Sequence, residues 1–98
     1  MEITKTNAQG ALTYALKGRL DTLTAPDLER TLKEDLPSAE TLTFDCAQLE
    51  YVSSAGLRVL LAAHKKMLSR KGMVVRNVNE MVREVLELTG LADVLTIE

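Results

Sequence analysis

Two adjacent serines, Ser53 and Ser54, stand where an apolar extended segment passes into a helix, in the stretch Tyr51-Val52-Ser53-Ser54-Ala55-Gly56-Leu57-Arg58. The first turn of a helix carries N–H groups without intrahelical acceptors and the positive end of the helix dipole. A serine hydroxyl there is either a cap, worth about 1 kcal/mol, or a place where a phosphate is well tolerated. At an exposed site the helix end would favour a phosphate on Ser54 by about 0.3–1 kcal/mol. Arg58 lies one turn later and is spaced to pair with that phosphate. It is equally suited to a solvated face shared with Lys65 and Ser69, and the sequence leaves both readings open.

Other chemistry is excluded by what the chain lacks. A hydrolase elbow needs Gly-x-Ser-x-Gly, but Val52 occupies the first glycine position for Ser54. The only histidine, His64, lies ten residues beyond Ser54, about 15 Å along one helix, so it cannot serve that hydroxyl as a base. Its place on an apolar stripe reads as a half-buried core histidine. One histidine and one cysteine make no transition-metal site, and no metal is expected. There is no Gly-x-x-x-x-Gly-Lys loop and no Gly-x-Gly-x-x-Gly, so the motif-bearing nucleotide pockets are missing. No catalytic residue is assigned, and no cofactor.

The elements that position the serines follow from periodicity. Residues 2–6 and 11–17 read as strands, with Leu12, Tyr14 and Leu16 on one face, joined by turn chemistry at Asn7-Ala8-Gln9-Gly10. Gly18-Arg19-Leu20-Asp21 then leaves the sheet. A helix follows with Thr24 as N-cap, Asp27 in a variant capping box and Pro26 in the first turn. Leu28, Leu32 and Leu36 line it, and Pro37 ends it. Thr41 to Cys46 alternates as a strand does. The next helix carries Leu57, Leu60, Leu61, His64 and Leu68 at helical spacing. It closes at Lys71-Gly72, with Met73 packing back on Leu68. Residues 73–78 form a strand. Asn79 caps a third helix running through Thr89, with Val82, Val85, Leu86 and Thr89 inward. Gly90 terminates it, Leu91 folds back on Leu86, and 94–97 is the last strand.

The order ββαβαβαβ predicts an α/β fold with a mixed sheet of about five strands. In such sheets, sites lie at the carboxyl ends of strands, where loops meet helix N-termini. Ser53 and Ser54 fall at such a place, and Gly18 to Asp21 approaches from a neighbouring strand.

The 98 residues, 46% hydrophobic and 27% charged, fit one domain spanning 1–98 with a single core and little room for a deep cavity. A net charge of −2 with only Tyr14, Phe44 and Tyr51 as aromatics offers neither a basic footprint nor stacking platforms for nucleic acid. No apolar run approaches the roughly 20 residues that cross a bilayer, and the N-terminus shows no signal-peptide core. A cytoplasmic monomer without membrane insertion is expected, with Cys46 a buried small hydrophobe.

At the serine motif the chain resembles a STAS domain of the anti-sigma factor antagonist family, and the resemblance covers nearly the whole length. Gly18-Arg19-Leu20-Asp21 is similar to that family's Gly-x-Leu-Asp turn, and Leu42-Thr43-Phe44-Asp45 to its strand ending in Asp. Tyr51-Val52-Ser53-Ser54-Ala55-Gly56-Leu57 resembles its phosphorylation motif, aromatic-x-Asp-Ser-Ser/Thr-Gly-Leu. Leu88-Thr89-Gly90-Leu91 is similar to the segment after its third helix. Three positions depart from the pattern: Ser53 replaces Asp, Ala55 replaces Ser/Thr, and Arg58 stands where glycine is frequent.

The resemblance implies that Ser54, with the adjacent Ser53 as second choice, is phosphorylated by an anti-sigma factor that is itself a serine kinase. It implies that the unphosphorylated chain binds that kinase through Asp21, Ser53, Ser54, Gly56 and Arg58, that a phosphatase resets the switch, and that this chain is no enzyme. An alternative is a STAS-like subunit of a lipid-transport, transporter or signalling assembly, in which the serine is only a cap.

Overall fold

A computed structural model describes all 98 residues. Strands β1 (Glu2–Ala8) and β2 (Ala11–Leu20) form a hairpin; α1 (Ala25–Asp35) and a short 3-10 turn lead to β3 (Thr41–Val52). Then come α2 (Ser54–Met67), β4 (Met73–Arg76), α3 (Glu80–Leu88), a second 3-10 turn and β5 (Thr96–Ile97). The sheet order is β1-β2-β3-β4-β5. β1 is antiparallel to β2, and β2 to β5 run parallel. The expected ββαβαβαβ mixed sheet is therefore present.

The hairpin forms because Gln9 and Gly10 both take positive φ, 55° and 92°, the conformation that matches strand twist in a tight turn. The Asn7 carboxamide accepts the Gly10 N–H at 2.9 Å. Parallel pairing then sends the carboxyl ends of β2, β3 and β4 to one pole, where α1, α2 and α3 begin. Leu12, Tyr14, Leu16, Leu42, Phe44 and Val75 are buried on the helix-covered face. Tyr14 meets Phe44 edge-to-face with ring centroids 5.9 Å apart. The buried side chains form one cluster with no buried charge, and the Tyr14 hydroxyl at its margin is bonded to Asp35. Cys46 belongs to this cluster; burial, with the adjacent Asp45 charge, pushes its thiol up to about 12, so it packs and does not react.

Four expectations are corrected. First, β2 does not end at 17, nor β3 at 46. Pairing continues to Leu20↔Val52 through register shifts between Ala15 and Lys17 and between Gly18 and Arg19. Beyond Cys46 the buried residues are Leu49 and Val52, three apart, because bulges break the two-residue period. Second, Thr24 makes no side-chain cap, and Asp27 pairs with Arg30 instead. Third, α2 ends at Met67. Leu68 is 68% exposed, so Met73 does not pack on it; the buried stripe is Leu57, Leu60, Ala63 and Met67. Gly72 does adopt a left-handed φ of 104°, but in the turn into β4. Fourth, Thr89 is exposed, while Val82 and Leu86 face inward. The Asn79 cap (Val82 N–H to Oδ1, 2.8 Å) and the left-handed Gly90 match the sequence reading, and His64 is half-buried as expected.

Candidate functional site

The structure separates the two serines: Ser53 caps α2 and Ser54 does not. Ser53 has extended backbone (φ −95°, ψ 174°), and its hydroxyl accepts the Gly56 N–H at 3.4 Å. It is the N-cap of α2 and is half-buried. Ser54 is the first helical residue, is exposed, and its hydroxyl makes no hydrogen bond within the chain. Capping therefore does not consume Ser54. Ser54 stands in the first turn, at the positive end of a 14-residue helix.

The position is held from behind by β2. The Ser53 N–H donates to the Leu20 carbonyl at 2.8 Å, which extends the β2–β3 pairing by one residue. Gly56 is buried in the seam: a Cβ there would lie 2.6 Å from Leu20 Cγ and 3.0 Å from the Leu20 carbonyl oxygen. A side chain there would force Leu20 or the helix start to shift, since real Cβ atoms do not approach so closely. Gly56 therefore does not belong to the open surface where the sequence reading put it. It sets the distance between α2 and β2, on which the placing of Ser54 depends.

Asp21 is next to this contact and half-buried. Its Oδ1 accepts the N–H groups of Leu23 (3.0 Å) and Thr24 (3.1 Å), and the Thr24 hydroxyl lies at 3.2 Å. Thr24 Oγ1 in turn accepts the Asp21 N–H and is 2.8 Å from the Arg19 carbonyl. The carboxylate and hydroxyl thus lock the turn that starts α1. Partial desolvation raises the Asp21 carboxyl, but the Thr24 and Leu23 N–H groups, the Thr24 hydroxyl and the Arg19 charge together hold it below the usual range. Its Oδ2 is 3.8 Å from Arg19 Nε, and the Arg19 guanidinium lies 4.3 Å over the Tyr51 ring.

Arg58 is exposed and makes no ion pair. It lines an open groove of about 310 Å³ with Thr22, Ala25, Pro26, Glu29, Ala55 and Val59. The structure thus gathers Asp21, Ser53, Ser54 and Arg58 at one pole. The sequence reading missed the groove because its walls come from two helices, and it missed Leu23, which is 86% exposed. The available signal for Leu23 was an apolar residue inside a polar turn, on no periodic face.

Arranged this way, the pole offers an accessible hydroxyl in a favourable field, and no group of metal-ligating side chains is assembled anywhere in the chain. No helix is long and apolar enough to cross a membrane.

Comparison with known proteins agrees with this geometry. The family model described as Mlab, STAS domain matches residues 3–96. A protein named as an anti-sigma factor antagonist, BtrV, from Bordetella bronchiseptica is 31% identical over 99 residues, covering 99% of this chain and 85% of its own. The anti-sigma-B factor antagonist of Listeria monocytogenes is 28% identical over 83% of this chain and 73% of its own. The crystal structure of an anti-sigma factor antagonist from Mycobacterium paratuberculosis superimposes with a TM-score of 0.89 at 25% identity, over 98% of this chain and 83% of that one. The chain belongs to the STAS-domain family, on the branch of the anti-sigma factor antagonists.

Proposed function

We propose that this chain is a phosphorylation-gated antagonist that binds an anti-sigma factor with serine-kinase activity when Ser54 is free and is released when Ser54 is phosphorylated. The observation that carries the reading is the division of labour at the start of α2: Ser53 caps, and Ser54 stays exposed and unbonded. ATP and magnesium belong to the kinase, this chain performs no catalysis of its own, and a phosphatase resets it in the cytoplasm.

The gate is electrostatic. A phosphoserine carries about −1.5 to −2 charges. Fitted to a neutral hydroxyl, the interface must then bury a poorly paired dianion, at a cost of several kcal/mol. A thousandfold loss of affinity needs only about 4 kcal/mol. In the free chain the helix end and Arg58, one turn away, receive the phosphate.

The test is radiolabelling by the host's serine-kinase anti-sigma factor. Wild type takes up one phosphate and Ser54→Ala none; labelling of Ser54→Ala at the wild-type rate removes Ser54 as acceptor. Ser54→Asp is expected to bind that kinase much more weakly than wild type, and equal affinity would refute the charge mechanism.

A further inference from the structure

Beside Ser54 the chain displays a leucine that its own core does not use. Leu23 is 86% exposed, the most exposed large hydrophobic residue in the molecule. Its turn is not loose. The Leu23 N–H is held by Asp21 Oδ1, the Thr24 N–H by the same oxygen and by the Asp21 carbonyl, and the Ala25 N–H by that carbonyl at 2.8 Å. The Thr24 hydroxyl ties the turn to Arg19 at the end of β2. An apolar side chain on a backbone fixed this firmly loses little conformational freedom on being bound. Thr22 before it and Ala25 two residues after it line the groove whose other wall carries Ala55 and Arg58, one and four residues after Ser54. The turn and the start of α2 are also joined through Leu20, whose carbonyl accepts the Ser53 N–H. Leu23 and Ser54 are thus presented by one rigid unit.

We propose that Leu23 is the apolar anchor by which the kinase recognises this chain, entering a hydrophobic socket on the kinase surface while Ser54 is delivered to its active site. The proposal rests on the reading of Ser54 given above and extends it to the partner's chemistry: an apolar pocket beside a surface that accommodates Arg58 and Glu29 across the groove. Anchors of this kind dominate interface energetics when they fill a pocket that excludes water. A leucine held outside the reacting centre contributes equally to ground-state and transition-state binding, so its loss appears in KM and not in kcat.

The experiment uses the full chain and the host's serine-kinase anti-sigma factor, purified, with Mg–ATP. Leu23→Ala should weaken binding of the unphosphorylated chain roughly tenfold to a hundredfold, the worth of one buried leucine side chain. It should raise the KM for Ser54 phosphorylation by the same factor, with kcat within about twofold of wild type. Leu23→Met, which keeps the apolar volume, should restore most of both. Leu88→Ala removes another highly exposed leucine (79%) from α3 and should change neither. Identical denaturation midpoints for the variants separate binding from folding. If Leu23→Ala binds and is phosphorylated as wild type is, the anchor is overturned while the Ser54 reading stands. If wild type binds but is never phosphorylated, the Ser54 reading falls, and a Leu23-dependent affinity still upholds the anchor.

Discussion

The two poles of the domain are built from the same helices and do opposite things with their polar groups. At the pole where α1, α2 and α3 begin, Ser54 is left unbonded, Arg58 is unpaired and Leu23 projects into solvent. At the pole where α1 and α2 end, two cations, Arg70 and Lys71, are engaged in closing the fold. One guanidinium nitrogen of Arg70 donates to the carbonyls of both Leu36 and Ala39, and Lys71 pairs with Glu40 at 3.3 Å. Lys65 and Lys66 stand in the last turn of α2, where they offset the negative end of its dipole. The basic cleft of about 340 Å³ between the two helix ends is in this sense a cap. The poles differ in what their polar groups are spent on: Arg70 and Lys71 hold the fold together, whereas Ser54 and Arg58, which the proposal above places at the partner, hold nothing in the chain.

The comparison can be broken most forcefully at its glycines. Gly56→Ala, at the pole of Ser54, must displace Leu20 or the helix start and is expected to cost about 3 kcal/mol, as overpacking of a tight seam does. Gly72→Ala, at the capping pole, meets no atom within 4 Å but is held at φ +104°, and should cost about 1–2 kcal/mol. Urea denaturation of the pair gives both values, and Gly56→Ala should also lower the rate of Ser54 phosphorylation.

Next in size is Arg70→Met. It strips the donor from two carbonyls and should cost about 1–3 kcal/mol, yet leave kinase affinity unchanged. Weakened binding without unfolding would mean that the capping pole also faces the partner.

Tyr14→Phe probes the same pole through pH. The Tyr14 hydroxyl donates to Asp35, whose carboxylate is also 3.2 Å from Lys5 Nζ. That hydrogen bond lowers the Asp35 carboxyl most, burial opposes it, and Lys5 adds to the lowering. A value below that of the unfolded chain, about 3.9, means stability that is complete above that pH and is lost as pH falls through the folded value. Tyr14→Phe should cost about 1 kcal/mol at pH 7, and the gap between variant and wild type should narrow on acidification below pH 4. A gap independent of pH would show that the hydroxyl does not act through the carboxylate.

The smallest contrast lies between the two serines themselves. Ser53→Ala removes a cap and should cost about 1 kcal/mol. Ser54→Ala touches no bond and should stay within about 0.5 kcal/mol. Equal losses would mean that the two serines share the capping.

Much of this was readable from the residues. The turn at Gln9-Gly10, the Asn79 cap and the left-handed Gly90 follow from local chemistry, and local chemistry is what a sequence displays. The continuation of β3 to Val52 was not readable, because its register shifts replace a spacing of two by a spacing of three, which resembles neither strand nor helix. The Thr24 cap failed for a related reason. A threonine three residues after an aspartate can accept from the helix or tie the turn, and only the position of the Arg19 carbonyl decides. Which of the two serines caps α2 turned on one hydroxyl direction, set by a helix start whose placement depends on the sheet behind it.

That helix start has a consequence for how information leaves the molecule. Because Gly56 already packs tightly on Leu20, the segment bearing Ser54 cannot sink towards the sheet if, as proposed above, it gains a dianion. The modified and unmodified forms should overlay atom for atom in the main chain, like two coins of one mint with different faces. A listener that sensed shape would be deaf to the difference; only one that sensed potential would hear it.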